Sequence, residues 1–119
     1  MGPVELDGEV EGFWAEDQWA GQRLRVPIRA RASVDWFIVT GYLPEHAPVP
    51  LVLRATCGLQ DSEMEVHAGM FDWEIPAKLA AGETVELTIL AKNTWTPSTI
   101  GVGTDERALS FVLQRIEAT

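Results

Sequence analysis

Apolar and polar residues alternate one by one over several short stretches of this chain, and this alternation limits the folds open to it. In one stretch Leu24, Val26 and Ile28 are separated by Arg25 and Pro27. The same period of two recurs over residues 51–56, 63–67, 71–75, 85–89 and 109–117. A period of two places successive side chains on opposite faces of a β-strand. Such strands, with turns and no helical patterns between them, predict an all-β, antiparallel two-sheet β-sandwich of jelly-roll or immunoglobulin-like type.

Four segments depart from simple alternation. Residues 36–42 are apolar almost throughout, which predicts a strand buried on both faces. Pro27 lacks an amide hydrogen, so its strand is predicted to lie at a sheet edge or to carry a bulge. Residues 43–50 contain three prolines and are predicted to form a loop. Residues 76–81 open with a proline and are followed by Gly82, which predicts a single helical turn.

Two stacked sheets bury the inward side chains of their strands between them. Trp36 and Trp73 both stand in strand patterns, and we predict that both belong to this core. Cys57 is the one cysteine of the chain, so no internal disulfide forms, and it is predicted to be a small buried hydrophobe. Besides Trp36 and Cys57, the predicted core consists of Val26, Ile28, Ile38, Leu53, Phe71, Trp73, Leu87, Ile89 and Phe111.

Length and charge narrow the range of partners. The 119 residues fit one domain spanning positions 1–119. A net charge of −9 argues against nucleic acid or an anionic membrane surface, which bind clustered cations. The four arginines at 23, 25, 29 and 31 are predicted to lie on one solvated strand face that balances carboxylates. Because we find no secretion signal and no apolar stretch of about 20 residues, a cytoplasmic chain without membrane insertion is expected.

Catalytic and metal-binding patterns are weak in this sequence. His46 and His67 lack metal-ligand spacing with Cys57, and no phosphate-binding glycine loop is present. Adjacent acidic pairs do not supply the separation that two carboxylates need across a glycosidase cleft. We therefore predict that the chain is not an enzyme and holds no metal or cofactor. Calcium bound by loop oxygens at 7–9 and 104–106 is the alternative left open.

Tryptophan is abundant, with five residues in the chain. Trp14, Trp19 and Trp95 stand in segments rich in Gly, Thr, Pro and acidic residues, which read as loops. An indole beside carboxylates is suited to sugars, because the ring packs on C–H groups while the acids bind hydroxyls. The alternative is that these three rings fill the open ends of the sandwich.

Two segments together resemble a known family. Residues 11–20 read EGFWAEDQWA. Residues 93–111 contain Pro97 and Gly101 and end with TDERALSF at positions 104–111. They resemble the small β-sandwich accessory domain attached to many bacterial glycosyltransferases and related polysaccharide-assembly proteins. That family shows Gly-aromatic-aromatic and Glu near its start, and Asp-x-Arg-x-Leu before its last strand. Its arginine before the second tryptophan is replaced here by Gln18.

The resemblance implies a sandwich in a glycan-related setting, with transferase chemistry left to an attached domain. Since first and last strands of a sandwich are often neighbours, Arg107 is expected to pair with Glu16 or Asp105 and to stack on Trp14 or Trp19. This network either binds a ligand or clamps the two chain ends together.

These observations lead to three hypotheses. The first is a non-catalytic carbohydrate-binding or glycan-associated module, whose partner is a glycan or a polysaccharide-assembly protein. The second is a structural or protein-interaction domain that has no small-molecule ligand and pairs with itself or a partner. The third is a small hydrolase. For the first, the predicted ligand-binding residues are Trp14, Glu16, Trp19, Trp95, Asp105 and Arg107.

Overall fold

The computed structural model describes residues 2–119, and over this range the chain forms nine β-strands and no helix. Every strand pair is antiparallel, which confirms the predicted fold class. No helix in the described range is therefore able to cross a membrane. The strands are β1 (Val4–Leu6), β2 (Glu11–Trp14), β3 (Trp19–Ala30), β4 (Val34–Leu43), β5 (Leu51–Cys57), β6 (Gln60–Val66), β7 (Gly69–Leu79), β8 (Thr84–Ala91) and β9 (Val112–Ala118).

The strands form two sheets that share one corner. The hydrogen-bonded order is β6-β5-β8-β3-β9-β4-β7, and β1 and β2 pair with the other edge of β3. We call β6-β5-β8-β3 with β1 and β2 the first sheet, and β9-β4-β7 the second sheet. Between them the paired register of β3 and β9 comprises one residue pair, Trp19 with Val112. The start of β3 and the start of β9 therefore meet at this corner.

The core lies between the sheets and follows the predicted alternation. Seven of the nine predicted core residues are buried, and Ile38 and Phe71 are half-buried. Ile38 projects from the outward side of β4, whereas Phe71 packs edge-on against Phe111 with ring centroids 5.6 Å apart. Cys57 is buried as predicted, and burial raises the pKa of its thiol to about 11.

The predicted helical turn at 76–81 is wrong. β7 continues to Leu79, and Lys78 has a φ of 55° where the register against β4 shifts between Val34 and Trp36. Ala77 and Leu79 continue the alternation of the strand, and both are buried. A helix of one turn is unstable in isolation, so burial in the sandwich decides the local conformation.

The prediction that Pro27 marks an edge strand or a bulge is also wrong. β3 has β8 along one edge in an unbroken register, and β1 and β2 along the other. Pro27 falls between the parts of β3 paired with β2 and β1, where residues 7–10 leave the sheet. Its carbonyl accepts a bond of 2.9 Å from the amide of Asp7. Neither β1 nor β2 pairs with Pro27 on that edge, so the missing amide hydrogen of proline breaks no bond between strands. A proline is therefore tolerated inside the strand.

Residues 36–42 form the middle of β4, which pairs with β7 on one edge and β9 on the other. Phe37, Val39 and Gly41 face the core and are buried. Trp36, which bounds the register shift, faces outward with 44% of its surface exposed. The prediction that Trp36 is a core residue is therefore wrong. Burial on both faces holds in part, since outward-facing Thr40 is 6% exposed and Ile38 and Tyr42 are half-buried. The loop predicted at 43–50 is confirmed, since β4 ends at Leu43 and β5 begins at Leu51.

Candidate functional site

A tight hairpin brings the first two predicted aromatic residues together. Trp14 ends β2, Trp19 begins β3, and the two are paired across a four-residue loop. The amide of Gln18 donates to the carbonyl of Trp14 at 2.8 Å, and Gln18 has a φ of 64°. The Gln18 carbonyl in turn accepts a bond of 2.9 Å from the amide of Leu113 in β9. The hairpin is thereby attached to the last strand.

The long segment between β8 and β9 is held in place by an isolated antiparallel bridge between Trp95 and Leu109. Inside the loop that this bridge closes, the amide of Ser98 donates to the carbonyl of Asp105 at 2.9 Å. The hydroxyl of Ser110 lies 3.0 Å from the carbonyl oxygen of Ala20 in β3, and this contact is buried. These bonds bring residues 105–107 against the β2–β3 hairpin.

Arg107 is the centre of the resulting cluster. Its Nε and Nη2 donate to the two carboxylate oxygens of Asp105 at 3.0 and 2.7 Å. Its Nη2 and Nη1 also donate to Asp17 at 2.6 and 3.3 Å. The guanidinium carbon lies 4.9 Å from the ring centroid of Trp14. We refer to Trp14, Asp17, Asp105 and Arg107 as the Arg107 cluster.

The Arg107 cluster is charged and within reach of solvent. The side chains of Arg107, Asp105 and Asp17 are 29%, 30% and 44% exposed. Hydrogen bonds from Arg107 hold the pKa of each of the two carboxyls below its ordinary value. Bonds to Asp105 and then Asp17 raise the pKa of Arg107 in turn. Two carboxylates against one guanidinium leave a net charge of −1 at neutral pH.

The expected contacts of Arg107 with Asp105 and with the Trp14 ring are confirmed. On the hairpin, however, Asp17 and not Glu16 is the carboxylate that pairs with Arg107. Glu16 is exposed one position away. Sequence reasoning missed Asp17 because neighbouring loop residues differ in direction, and sequence spacing does not encode that direction.

The other two indoles of the predicted site pack on each other. Trp19 is half-buried, and its ring meets Trp95 edge-on at 5.5 Å. Trp95 is 5% exposed, and its indole nitrogen donates to the carbonyl of Ser110 at 3.1 Å. The prediction that Trp95 offers a surface for stacking is therefore wrong, since both its ring and its polar edge are used within the fold. The alternative, a ring that fills the end of the sandwich, describes Trp95.

Two of the acidic residues considered for calcium, Asp7 and Asp105, have protein partners. Asp7 lies 3.5 Å from Arg29, and Asp105 is bonded to Arg107. Within residues 2–119 no group of three or more His, Cys, Asp or Glu side chains is placed to hold a metal ion.

A second surface with aromatic character lies on the outside of the second sheet. Along β4, Trp36, Ile38, Thr40 and Tyr42 project to this side because their neighbours project to the core. We call this surface the aromatic face. Its other members are Met70, Asp72, Glu74 and Pro76 of β7 and Val112, Arg115 and Glu117 of β9.

A third feature is an apolar groove between the first sheet and β9. It has a volume of ≈ 250 Å³, and the described residues that line it are all apolar. Leu6 at its rim is 50% exposed, whereas Ile116 at its other side is 7% exposed. The lining residues are Leu6, Val10, Phe13, Val26, Leu113 and Ile116.

Comparison with known proteins adds little to this description. No protein-family model matches the chain, and no curated protein matches it. A solved structure that does match is described as CBM35 from Cellvibrio japonicus Abf62, with 15% sequence identity and a TM-score of 0.47. The match covers 96% of this chain and 89% of that one. This TM-score is too low to support a fold assignment. The assignment therefore rests on the antiparallel strand pairing of this chain alone.

Proposed function

We propose that this chain is a non-catalytic carbohydrate-binding module whose primary site is the Arg107 cluster. The observation that carries the proposal is a guanidinium held between Asp17 and Asp105 beside the ring of Trp14, at a solvent-accessible end of the sandwich. Planar charged groups next to an indole match the two kinds of contact that a sugar ring offers, its hydroxyls and its C–H groups.

The cluster retains capacity for hydrogen bonds to a sugar. Each ionised carboxylate oxygen has two lone pairs, and Arg107 occupies only part of that capacity at Asp17 and Asp105. Glu16 is exposed next to them and adds a third carboxylate. Trp14 and Trp19 supply partly exposed indole surface, and the buried ring of Trp95 packs edge-on against Trp19.

The electrostatics of the cluster favour binding over hydrolysis. A glycosidase needs one carboxyl that stays protonated near neutral pH to serve as general acid. Arg107 does the opposite, because its hydrogen bonds lower the pKa of both Asp17 and Asp105. Both are therefore ionised at neutral pH, and neither holds a proton to give to a leaving group.

The test is titration of the protein with a panel of neutral and charged oligosaccharides up to millimolar concentration, followed by tryptophan fluorescence. With mono- and disaccharides we expect a saturable change that Arg107→Lys abolishes, because a lysine cannot bridge two carboxylates with a planar fork. Arg25→Lys is the matched control, since Arg25 also lies between two carboxylates, Glu11 and Glu86. Absence of any response in the native protein would contradict the proposal.

A second candidate, a protein-interaction domain, is favoured by the apolar groove. Leu6 leaves half of its surface exposed at the rim of this groove. A defined dimer at micromolar concentration that Leu6→Glu dissociates, together with no glycan response, would select this function. Attachment to a glycosyltransferase remains a prediction from the sequence resemblance.

A further inference from the structure

We infer that the aromatic face is a second glycan-binding surface, which takes a linear, uncharged polysaccharide chain lying along β4. The inference rests on the proposed function, but it concerns residues that the sequence assigns to the core or to no site.

Exposure is the first observation. All five tryptophans lie in the described range, and of these Trp36 alone is exposed, at 44% of its surface. Trp73 and Trp95 are 5% exposed, and Trp14 and Trp19 are half-buried in contact with other side chains. Trp36 therefore offers the most accessible indole for packing against a sugar ring.

Spacing gives the size of the ligand. Tyr42 lies on the same side of β4 as Trp36, six positions further along, and is half-buried. Six residues of extended strand span about 20 Å. A monosaccharide or disaccharide is too short to contact both rings, whereas a longer chain along the strand reaches them together.

The polar band between the two rings favours a glycan over a protein as the ligand of this face. The hydroxyl of Thr40 donates to Asp72 at 2.7 Å, and Arg115 is paired with Glu117 at 2.7 Å on the neighbouring strand. A protein-binding hot spot has its large apolar residues clustered at the centre, inside a polar rim. Here the aromatic rings stand at the two ends, and the middle holds half-buried Ile38, buried Thr40 and four exposed charged side chains. These four, which fit a polyhydroxylated chain, are Asp72, Glu74, Arg115 and Glu117.

Charge restricts the ligand further. The aromatic face carries Asp72, Glu74 and Glu117 against Arg115, which sums to −2, on a chain of net charge −9. Anionic polysaccharides such as polyuronates are repelled by this surface. An uncharged chain meets carboxylate oxygens that accept bonds from its hydroxyls.

The experiment uses isothermal titration of the full chain with hexasaccharides and disaccharides of β-1,4-glucan, β-1,4-mannan and β-1,4-xylan, and with a polygalacturonate hexamer. Trp36→Ala is expected to weaken binding of a neutral hexasaccharide by about tenfold and to leave disaccharide binding unchanged. Leu59→Ala is the control, because Leu59 is fully exposed at the β5–β6 turn, off the aromatic face.

A second measurement does not depend on a variant. Acrylamide quenches exposed indoles, so a neutral hexasaccharide is expected to reduce the quenchable fluorescence of the native protein, and a disaccharide to reduce it less. Hexasaccharide binding that Trp36→Ala leaves unchanged, or that gives no protection from acrylamide, overturns this inference while the proposed function stands. Equal or tighter binding of the polygalacturonate hexamer also overturns it. If the native protein binds none of these sugars, this inference fails, and the wider oligosaccharide panel described above decides the proposed function separately.

Discussion

The outward faces of the two sheets differ in the side chains that they expose. On the first sheet Arg25 is bonded to both Glu11 and Glu86 at 3.0 Å. The other ion pairs of that face are Arg29 with Asp7, Arg54 with Asp61, and Lys92 with Glu63. On the second sheet the described residues form one outward ion pair, Arg115 with Glu117, next to exposed Trp36 and Met70.

This difference concerns recognition more than stability. Exposed ion pairs contribute little to the free energy of unfolding. The charges of the first face chiefly keep the protein soluble and balance its excess of acidic residues. Exposure of an apolar indole ring to water does not stabilise the folded protein. A surface on which an exposed indole lies beside other apolar side chains is typical of a binding surface. The first face exposes paired charges to solvent, whereas the second exposes apolar area that the proposed glycan would cover.

The largest expected effect is a loss of stability, and it compares a tryptophan on the inside of the second sheet with one on its outside. Trp73→Ala removes a 5% exposed ring whose indole nitrogen donates to Ser62 at 3.2 Å. It is expected to lower the free energy of unfolding by about 3–5 kcal/mol. Trp36→Ala removes the same ring from the outside and is expected to cost about 1 kcal/mol or less. Urea denaturation of both variants measures the pair, and equal losses would contradict the outward placement of Trp36.

Next in size is the packing beneath the aromatic face. A Cβ added at Gly41 would lie 2.5 Å from a ring atom of Phe71 and 2.9 Å from one of Phe111. Gly41→Ala is therefore expected to cost about 1–3 kcal/mol through overpacking. Gly21→Ala is the control, because a Cβ there meets Trp14 at an ordinary 3.5 Å. Thermal unfolding of both variants compares them, and equal stability would show that the second sheet tolerates extra volume.

A smaller effect is expected at the Arg107 cluster, and it depends on pH. Asp17 and Asp105 have lowered pKa values in the folded state, so they stabilise the fold when ionised. That contribution is present at neutral pH and is lost as the pH falls through the lowered values, below about pH 4. Arg107→Gln should reduce stability at pH 7 and flatten the acid limb of the profile. Urea midpoints from pH 7 to about pH 3 test this, and an unchanged acid limb would rule out the clamp.

The smallest effect is expected on the first sheet. Arg25→Gln breaks contacts to Glu11 and Glu86, but all three side chains are more than 40% exposed. The expected loss of stability is small because solvent screens these charges, and it should shrink further in 1 M salt. Denaturation at low and high salt provides the measurement. A loss that persists in high salt would mean that this face depends on its ion pairs after all.

Much of the fold was predictable because period-two alternation reports directly which side chains a sheet buries. β3, β5, β7 and β8 follow that pattern, and their inward residues are in the core. The pattern fails on β4, where both faces carry apolar residues, so it cannot distinguish Phe37 inside from Trp36 outside. The helical turn at 76–81 failed because local propensity is weaker than the burial of Ala77 and Leu79.

The site was predictable in part for a different reason. Pairing of Arg107 with Asp105 is local, since they are two positions apart, and the neighbourhood of first and last strands brought Trp14 to them. The identity of the hairpin carboxylate, Asp17, and the burial of Trp95 depend on how two distant loops pack. No spacing rule in the sequence contains that information.

The corner where β3 meets β9 has a consequence for biosynthesis. Ser110 bonds to the carbonyl of Ala20, a residue 90 positions earlier, and the paired register that joins the two sheets lies beside it. During translation the early strands cannot close this joint until the residues near position 110 have been made. Contacts of such large sequence separation slow folding and leave unpaired strand edges exposed in the meantime. A nascent chain that has not yet reached β9 therefore exposes the edge of β4 that pairs with this strand.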